Sequence, residues 1–475
     1  MINSEEIEKK AQEFEIHSSN VQKDYIFGWL LYGLFTQSEL KDQLFLKGGN
    51  ALRKGYFENT RFSKDLDLGI PTDLPKEKLL SEINKICDYI ATKTPIIFEK
   101  GNNKVEEKFT QTEAPLPDLK VYEARIYFKD FYGKESNMIL RIGMDLTRFD
   151  KVLAPLQLVK LIHPYSDSES ISCEIRCMKL EEIIATKLKC LLQRQHAPDL
   201  FDYAHSIRLL GGSLNKEEVV RLLIKKTIFD RNPHMLKDIL KNISLSYFRE
   251  YWDKSLICAK QMKMGVEDAI QLFLSDVDNI FDIFPDNGYR DFVFFGPELR
   301  TPIIEAARNQ TLLKMKYKGT DRLVEPYSLK FLQKRDGSER EYLYVYNRSG
   351  GSSPPGLRSF VAQNVEQIEN TSEKFIPREG FQIELSKAGE HPENRYLFDP
   401  NKPLRETGTS RSIWGTTQRR QRNSFGIRYV YQCGVCGKKF TKSTNSSVLG
   451  EHKNKSGFRC FNTYGIYVDI KMPSY

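Results

Sequence analysis

The sequence predicts a mixed α+β protein of two or three domains, and three observations carry that expectation. At 475 residues the chain exceeds one ordinary domain. Its hydrophobic and aromatic fractions, 40% and 12%, supply real cores and exclude a disordered chain. Its texture changes twice: helical stretches mixed with strands run to about residue 290, residues 303–376 turn mainly to β, and residues 377–475 are loop-rich, basic and cysteine-bearing. The expected domains are therefore 1–290, 303–376 and 377–475.

The elements follow in order. Residues 1–45 read as helices, with Ser4, Glu5 and Glu6 forming an N-terminal cap region. MINSEEIEKKAQEFE is acidic and helical, unlike a signal peptide. YIFGWLLYGLF (Tyr25 to Phe35) falls short of the roughly 20 apolar residues a membrane span needs, so it reads as a buried helix. FLKGG ends a hydrophobic run in a tight turn, ALRKGYF suits a helix, and KDLDLGI suits a strand. VYEARIYFKDF and NMILRIGMDLT are further strands. MKLEEIIATKLKCLLQ is an amphipathic helix, and the helical reading continues from about His205 to Phe284. NGYRDFVFFGPELRTP reads as a linker. LLKMKYKG, RLVEPYSLKFLQ, EYLYVYN and RSFVAQNVEQIE read as strands, with SGGSSPPG a loop between two of them.

Charge and cysteine usage narrow the function. Residues 401–475 hold fourteen Lys/Arg against three Asp/Glu, a net +11. The whole chain carries +9, so the other 400 residues are near neutral at −2. Only the C-terminal module is built to meet a polyanion. Five of eight cysteines are scattered singly and three fall in the last 45 residues, which is no disulfide framework and fits a reducing cytosol.

The densest chemistry lies in FLKGGNALRKGYFENTRFSKDLDLGI, Phe45 to Ile70. Asp65 and Asp67 are two apart, so on a strand they share a face, where they repel unless a cation separates them. Mg²⁺ takes oxygen ligands of this kind together with substrate phosphates. Gly48 and Gly49, entering a helix, let backbone N–H groups approach a phosphate. Lys47, Arg53 and Lys54 add positive charge. Either half alone is better explained by a solvated strand edge or an ordinary turn; together, at this spacing, they describe a metal–triphosphate cradle. A two-metal site wants a third carboxylate. Asp145, ending the apolar run in RIGMDLTRFD, is the candidate, and Asp150, in the following turn, is its rival.

KGGNALRKGYF…RFSKDLDLGI resembles the Gly-Gly and Asp-x-Asp motifs of AbiEii-type nucleotidyltransferases, a toxin and phage-defence family of the DNA polymerase beta superfamily. VQKDYIFGWLLYGLF resembles that family's first helix, and MKLEEIIATKLKCLLQRQHAPDLFDYAHSI its later helical motif. The resemblance implies a polymerase-beta-like core with a helical extension and transfer of a nucleotide from an NTP to an acceptor hydroxyl. It also implies two Mg²⁺ ions on Asp65, Asp67 and Asp145. Gly48, Gly49 and Asn50 would meet phosphates, Lys187 and Lys189 would hold the triphosphate or the acceptor, and Asp199 and Asp202 match the family's acidic pair. Asn50 replaces the usual Thr or Ser, and Pro198 stands where Arg usually precedes that pair.

Residues 310–376 resemble a WYL-type domain, a small β-barrel module, through RLVEPYSLKF, EYLYVYN and RSFVAQNVEQIE. Glu341 stands where that motif has Trp. The resemblance makes Arg322 and Arg358 candidates for binding a ligand or nucleic acid. In the tail, Cys433 and Cys436 form a C-x-x-C knuckle, His452 follows after fifteen intervening residues and Cys460 after seven more. Four such ligands fill a Zn²⁺ tetrahedron and leave no open position, so the site is expected to be structural. Just before it, Arg411, Arg419, Arg420, Arg422 and Arg428 interleave with Trp414, Phe425 and Tyr429, a pattern suited to phosphates and unpaired bases.

The expectation is a cytoplasmic nucleotidyltransferase whose acceptor is RNA, tRNA leading by resemblance, with an antitoxin or defence-system protein as partner and no membrane. Two alternatives stand beside it: synthesis of oligonucleotide signals, and a ligand-sensing nucleic-acid-binding regulator with a degenerate transferase domain.

Overall fold

The computed structural model describes residues 2–71, 73–109, 120–131, 138–147, 152–284, 293–333, 339–351, 354–379, 381, 383–385, 388–390, 428–433, 436, 438–442, 448–450, 452–453, 459–460 and 465–471. The chain forms two compact units. One comprises Met1–Lys108 and Pro117–Leu404, the other Phe109–Leu116 and Arg405–Tyr475.

The first unit is built on a seven-stranded sheet. Its strands are β1 (Phe45–Lys47), β2 (Asp65–Gly69), β3 (Lys104–Phe109), β4 (Lys120–Lys129), β5 (Ile139–Thr147), β6 (Gln157–Lys160) and β7 (Glu174–Cys177). Their order is β3-β4-β5-β2-β1-β7-β6, with β2 antiparallel to β1 and parallel to β5. Period-two alternation decides the faces. Leu66, Leu68, Met144 and Leu146 pack into one core with Tyr25, Leu30, Ile83 and Ile86, which leaves Asp65, Asp67, Gly143 and Asp145 on the opposite face.

Helices α1 (Ser4–Phe14) and α2 (Ser18–Thr36) precede the sheet; the short α3 (Gly48–Ala51) follows β1, and α4 (Lys76–Lys93) follows β2. The YIFGWLLYGLF stretch is the buried heart of α2, as its composition requires. α1 begins one residue earlier than expected, because Asn3 rather than Ser4 caps it and accepts from the Glu6 amide at 2.8 Å. Among the described residues no helix is long and apolar enough to cross a membrane.

A helical half follows: α5 (Leu180–Gln193), α6 (Ala197–Leu210), α7 (Lys216–Lys226), α8 (Pro233–Lys241), α9 (Ser246–Ser255) and α10 (Val266–Phe281). They share a second core that includes Leu188, Phe201, Leu223, Phe248 and Phe273. Glu182 of α5 ties this half to the chain beyond β5. Its carboxylate accepts from the Leu153 and Ala154 amides, each at 2.8 Å, and pairs with Lys226 at 2.6 Å.

Next come α11 (Pro297–Asn309) and β8 (Thr311–Tyr317), β9 (Thr320–Gln333), β10 (Glu339–Ser349), β11 (Gly356–Val361) and β12 (Val365–Lys374), in the order β11-β10-β9-β8-β12. The WYL-like resemblance implied a β-barrel; the sheet is open. α11 supplies the reason. Ile303 and Ala306 pack on Leu313, Met315, Val324, Leu343 and Val345, so a helix covers the apolar face that barrel closure would otherwise bury. Glu341, in the place of the motif's Trp, is fully buried and pairs with Arg300 at 2.9 Å.

The second unit contains the antiparallel strands β13 (Arg428–Cys433), β14 (Lys439–Lys442) and β17 (Gly465–Lys471) in the order β14-β13-β17, and a ladder of β15 (His452–Lys453) with β16 (Arg459–Cys460).

The structure corrects the part assigned to Arg53 and Lys54. Residues Leu52–Tyr56 form a π-helical turn that carries both side chains inward. Arg53 and Lys54 pair with the buried Asp24 at 2.6 and 3.0 Å, the Tyr165 hydroxyl donates to the same carboxylate at 2.8 Å, and the Arg53 guanidinium sits 3.7 Å from the Phe62 ring centre. Both side chains are buried against this one carboxylate and do not face a phosphate. Removing one partner of such a cluster leaves uncompensated buried charge. Asp24→Ala is therefore expected to lower the unfolding free energy by about 3–5 kcal/mol. Glu267→Ala, which breaks the exposed, solvent-screened pair with Arg249, should change it far less. Chemical denaturation of both variants checks the contrast.

Candidate active site

The site starts where β1 ends. Gly48 adopts φ +69°, a conformation that favours glycine, and a Cβ there would lie 2.3 Å from Asp67 Oδ2. A Cβ on Gly49 would lie 2.7 Å from Arg61 Nη2. The glycine pair thus admits two side chains of the protein's own against the turn. The α-helical turn it opens, Gly48–Ala51, runs directly into the π-helical turn Leu52–Tyr56. Asn50 is buried and donates to the Asp65 carbonyl at 2.7 Å; it braces β2 rather than facing a ligand.

Register aligns the acids. Lys47 pairs with Asp67, Asp67 with Asp145, and Asp145 with Glu123, so four adjacent strands carry one row of Lys–Asp–Asp–Glu. In the next row Asp65 opposes Gly143, where a Cβ would lie 2.3 Å from Asp65 Oδ1. Gly143 gives the Asp65 side chain room to lie over β5. The field in this row is negative. Burial pushes Asp145 up to about 6, and Asp67, Glu123 and Asp65 push it in the same direction. Burial also raises Asp67, against the pull of Lys47, Lys187 and Arg194.

Asp65, Asp67 and Asp145 line a cleft of about 440 Å³, whose other wall includes Arg61, Arg194, His196 and Tyr247. The two arginines are fixed from behind. Arg61 binds Asp202 through both Nε and Nη2 at 2.7 Å. Lys187 spans Asp202 at 2.7 Å and Asp199 at 3.1 Å, and Arg194 binds Asp199 at 2.8 and 3.0 Å. Lys187 therefore sits behind the cleft wall with two near carboxylates as partners; burial acts to lower its pKa, and Asp202 and Asp199 together outweigh it and raise it. Asp199 is held far below the usual carboxylate range: burial opposes this, and Lys187 and Arg194 outweigh it. Neither side chain touches the cavity. Lys189, two residues on from Lys187, points another way and pairs with Glu390 at 3.0 Å.

Of the residues singled out from the sequence, the structure brings Asp65, Asp67 and Asp145 to one cleft, with Lys47 and Gly48 beside them. It does not bring Arg53, Asn50 or Lys189 there. Asp150 lies outside the described residues. Arg61, Arg194, Glu123 and Gly143 were missed. Arg61 stands four residues before Asp65 and could have been weighed with the other cations of its stretch; Glu123 becomes visible only through strand register.

On the open sheet, Arg322 lines a hollow of about 430 Å³ and donates to the Gly350 carbonyl at 3.1 Å. Arg358 bonds back to the Leu357 and Pro354 carbonyls.

In the second unit, one ligand atom from each of Cys433, Cys436, His452 and Cys460 lies within 4.8 Å of all the others. The Cys433 and Cys460 sulfurs are 3.7 Å apart, close to the roughly 3.8 Å that two 2.3 Å bonds at a tetrahedral angle give. The Cys436 amide points at Cys433 Sγ, 3.5 Å away, as in a metal knuckle. His452 Nδ1 is 2.9 Å from the Gly450 carbonyl, which orients the ring and reserves Nε2 for a metal. Donor set and geometry fit zinc. Of the basic run, Arg428 opens β13, while Arg411, Arg419, Arg420 and Arg422 lie outside the described residues.

Strand carboxylates aligned across adjacent strands, a glycine turn and an arginine wall are the equipment of an enzyme that transfers phosphoryl or nucleotidyl groups. Comparison with protein families makes the class definite: a model described as nucleotidyl transferase AbiEii toxin, Type IV TA system, matches residues 29–282. The chain belongs to this AbiEii family and is a nucleotidyltransferase. Among solved structures it is similar to MenT4, a nucleotidyltransferase toxin from Mycobacterium tuberculosis H37Rv, at 16% identity over 59% of this chain and 91% of that one, with a TM-score of 0.34. No curated protein matches the chain.

Two expectations follow from the charges. The Asp145 carboxyl moves from the usual 3.8 to about 6 on folding. Between those values the folded protein holds a proton that the unfolded chain has released, so stability falls as pH rises through the window. Asp145→Asn removes that loss. At pH 7.5 in EDTA the variant should melt higher than wild type, by about 2 °C, with the difference vanishing near pH 4; melting curves across pH check it. In the tail, purified protein should carry about one zinc per chain, and Cys433→Ser should lose it along with the order of the second unit. Metal analysis and limited proteolysis read both.

Proposed function

We propose that this chain is a divalent-metal-dependent nucleotidyltransferase that moves a nucleotide from an NTP to a hydroxyl of an RNA acceptor, with tRNA the leading candidate. Its setting would be a toxin–antitoxin or anti-phage system, with an antitoxin as partner. One observation supports this above the others: Asp67 and Asp145 stand side by side on parallel strands, with Asp65 on the same face, in a cleft faced by fixed arginines.

The donor set suits Mg²⁺. Three hard carboxylate oxygen donors share a face; burial raises Asp67 and Asp145, and neighbouring carboxylates push Asp145 further, so a bound cation would favour their ionised forms. Bound to Asp65, Asp67 and Asp145, two Mg²⁺ would supply activation of the acceptor hydroxyl and neutralisation of the pyrophosphate leaving group. The chain's own groups do the rest. Arg194 and Arg61, held by Asp199 and Asp202, would take phosphate oxygens in a fixed orientation. Lys47 would add charge at the end of the acid row, and Lys187 would keep the arginine wall in place. Cys433, Cys436, His452 and Cys460 would hold a structural zinc. Arg411, Arg419, Arg420, Arg422 and Arg428 would grip the acceptor's phosphates, and Arg322 would serve a ligand of the WYL-like module.

Incubating the protein with each labelled NTP, Mg²⁺ and total cellular RNA tests the reading. Label should enter RNA, and Asp67→Ala should lower the rate at least about 100-fold without lowering the melting temperature. Label in free oligonucleotides would favour signal synthesis; no pyrophosphate release from any NTP would favour the regulator. The acceptor grip has its own signature. Replacing Arg419, Arg420 and Arg422 together by Ala should flatten the log–log salt dependence of RNA binding by about one per lost phosphate contact, with NTP affinity unchanged. Identical slopes would remove the tail from acceptor binding.

A further inference from the structure

One wall of the cleft carries aromatic rings rather than fixed charge. Tyr247 of α9 and the exposed His196, just before α6, both line the cavity. Their rings lie nearly parallel, 23° apart with centres 6.2 Å apart. One helical turn on, Tyr251 stacks on Tyr247 at 4.3 Å and 24°. The Arg308 guanidinium sits 4.6 Å from the Tyr247 ring centre and is held by the Arg194 carbonyl at 3.1 Å and Gln195 Oε1 at 2.9 Å.

Helical spacing accounts for the contact between Tyr247 and Tyr251, which are four apart. It does not account for His196, which comes from another element and adopts nearly the same ring plane, nor for Arg308, anchored to the very turn that carries Arg194. His196 thus brings a ring, with a π-face, to the cavity lining. The cavity, about 440 Å³, suits one nucleotide-sized ligand. Arg194 and His196 are two residues apart, so a group that meets phosphate and a group that can meet a base stand on one turn.

We propose that His196 and Tyr247, the latter backed by Tyr251, are the stacking site for an unpaired nucleobase in this cleft, the base belonging either to the bound NTP or to the terminal nucleotide of the acceptor strand. The proposal rests on the nucleotide-transfer reading. Base–aromatic stacking tolerates any base, because every base has a π-face. The rings would therefore add affinity and orientation without choosing sharply among nucleotides, and any discrimination would come from other groups.

The test is equilibrium binding to the full chain, with Ca²⁺ in place of Mg²⁺ to suppress turnover. The probes are inorganic tripolyphosphate, the NTP and a short single-stranded RNA, each against wild type, Tyr247→Ala, Tyr247→Phe and His196→Ala. If the base is the NTP's, Tyr247→Ala should weaken NTP binding by about tenfold, leave tripolyphosphate unchanged, and be rescued by Tyr247→Phe, which keeps the ring. His196→Ala, at an exposed position that tolerates truncation, should weaken it in the same sense. If the base is the acceptor's, the same pattern should appear with the RNA and not with the NTP. Unchanged affinity for both NTP and RNA in Tyr247→Ala and His196→Ala would overturn the proposal. So would an equal loss of tripolyphosphate, which would make the rings a structural support. Failure of wild type to bind either NTP or tripolyphosphate would instead overturn the nucleotide-transfer reading, and this inference with it.

Discussion

Five charged side chains alternating in sign, Arg61–Asp202–Lys187–Asp199–Arg194, hold the cleft in shape. They join three separate pieces of chain: the segment before β2, the middle and end of α5, and the start of α6. Lys187, Asp199 and Asp202 are 6%, 1% and 2% exposed, so none is stabilised by water. Each is tolerable only because its neighbours have the opposite sign and good geometry. Any one of the three, left alone, would carry a desolvation penalty of several kcal/mol. The network therefore fixes where its two ends can stand, and those ends are the arginines that line the cavity. Arg194 has Nε and Nη2 bound to Asp199, and Arg61 has Nε and Nη2 on Asp202 and Nη1 on the Phe62 carbonyl; each guanidinium carries five N–H groups, so some are left to meet a phosphate.

Across the cavity the electrostatics run the other way. The acids there are held together by register, with no internal cation for each. Parallel pairing of β2 and β5 fixes Asp67 beside Asp145 irrespective of their repulsion, because the same register buries Leu66, Leu68, Met144 and Leu146 on the other face. A one-residue slip of β2 would relieve the acids and turn Leu66 and Leu68 out of the core. At roughly 1.5–3 kcal/mol for each buried side chain of this size, the core wins. A negatively charged wall is thereby maintained by hydrophobic burial elsewhere in the sheet, and it faces a positively charged wall maintained by ion pairing.

Much of this was legible in the sequence, and the unread part has a physical pattern. The Asp-x-Asp strand, the acid-bearing neighbouring strand, the buried α2, the lysine-bearing α5 and the cysteine–histidine set were all visible as local spacing. What spacing could not give was partner choice across the chain. Arg53 and Arg61 are indistinguishable as basic residues in one stretch. One turns inward to Asp24, 29 residues away, and the other reaches Asp202, 141 residues away. Glu123 looks like any polar strand residue until antiparallel pairing sets it opposite Asp145. The open five-stranded sheet was misread for a related reason: strand patterning shows that a face is apolar, and here α11 is what covers it.

The departure at Pro198 becomes intelligible in the same terms. The resemblance calls for an arginine immediately before the acidic pair, and its loss would strip a cation from beside Asp199. Pro198 stands in the first turn of α6, where its fixed φ is already helical and its missing N–H has no intrahelical partner to lose. The cation comes instead from Arg194, whose Nε and Nη2 reach Asp199 from the end of α5. Asp199 thus keeps two positive neighbours, Lys187 and Arg194, and stays ionised despite its burial. Because the guanidinium now arrives from α5, it borders the cleft on the same turn as His196, which places the phosphate-facing and ring-bearing parts of that wall on one short piece of chain.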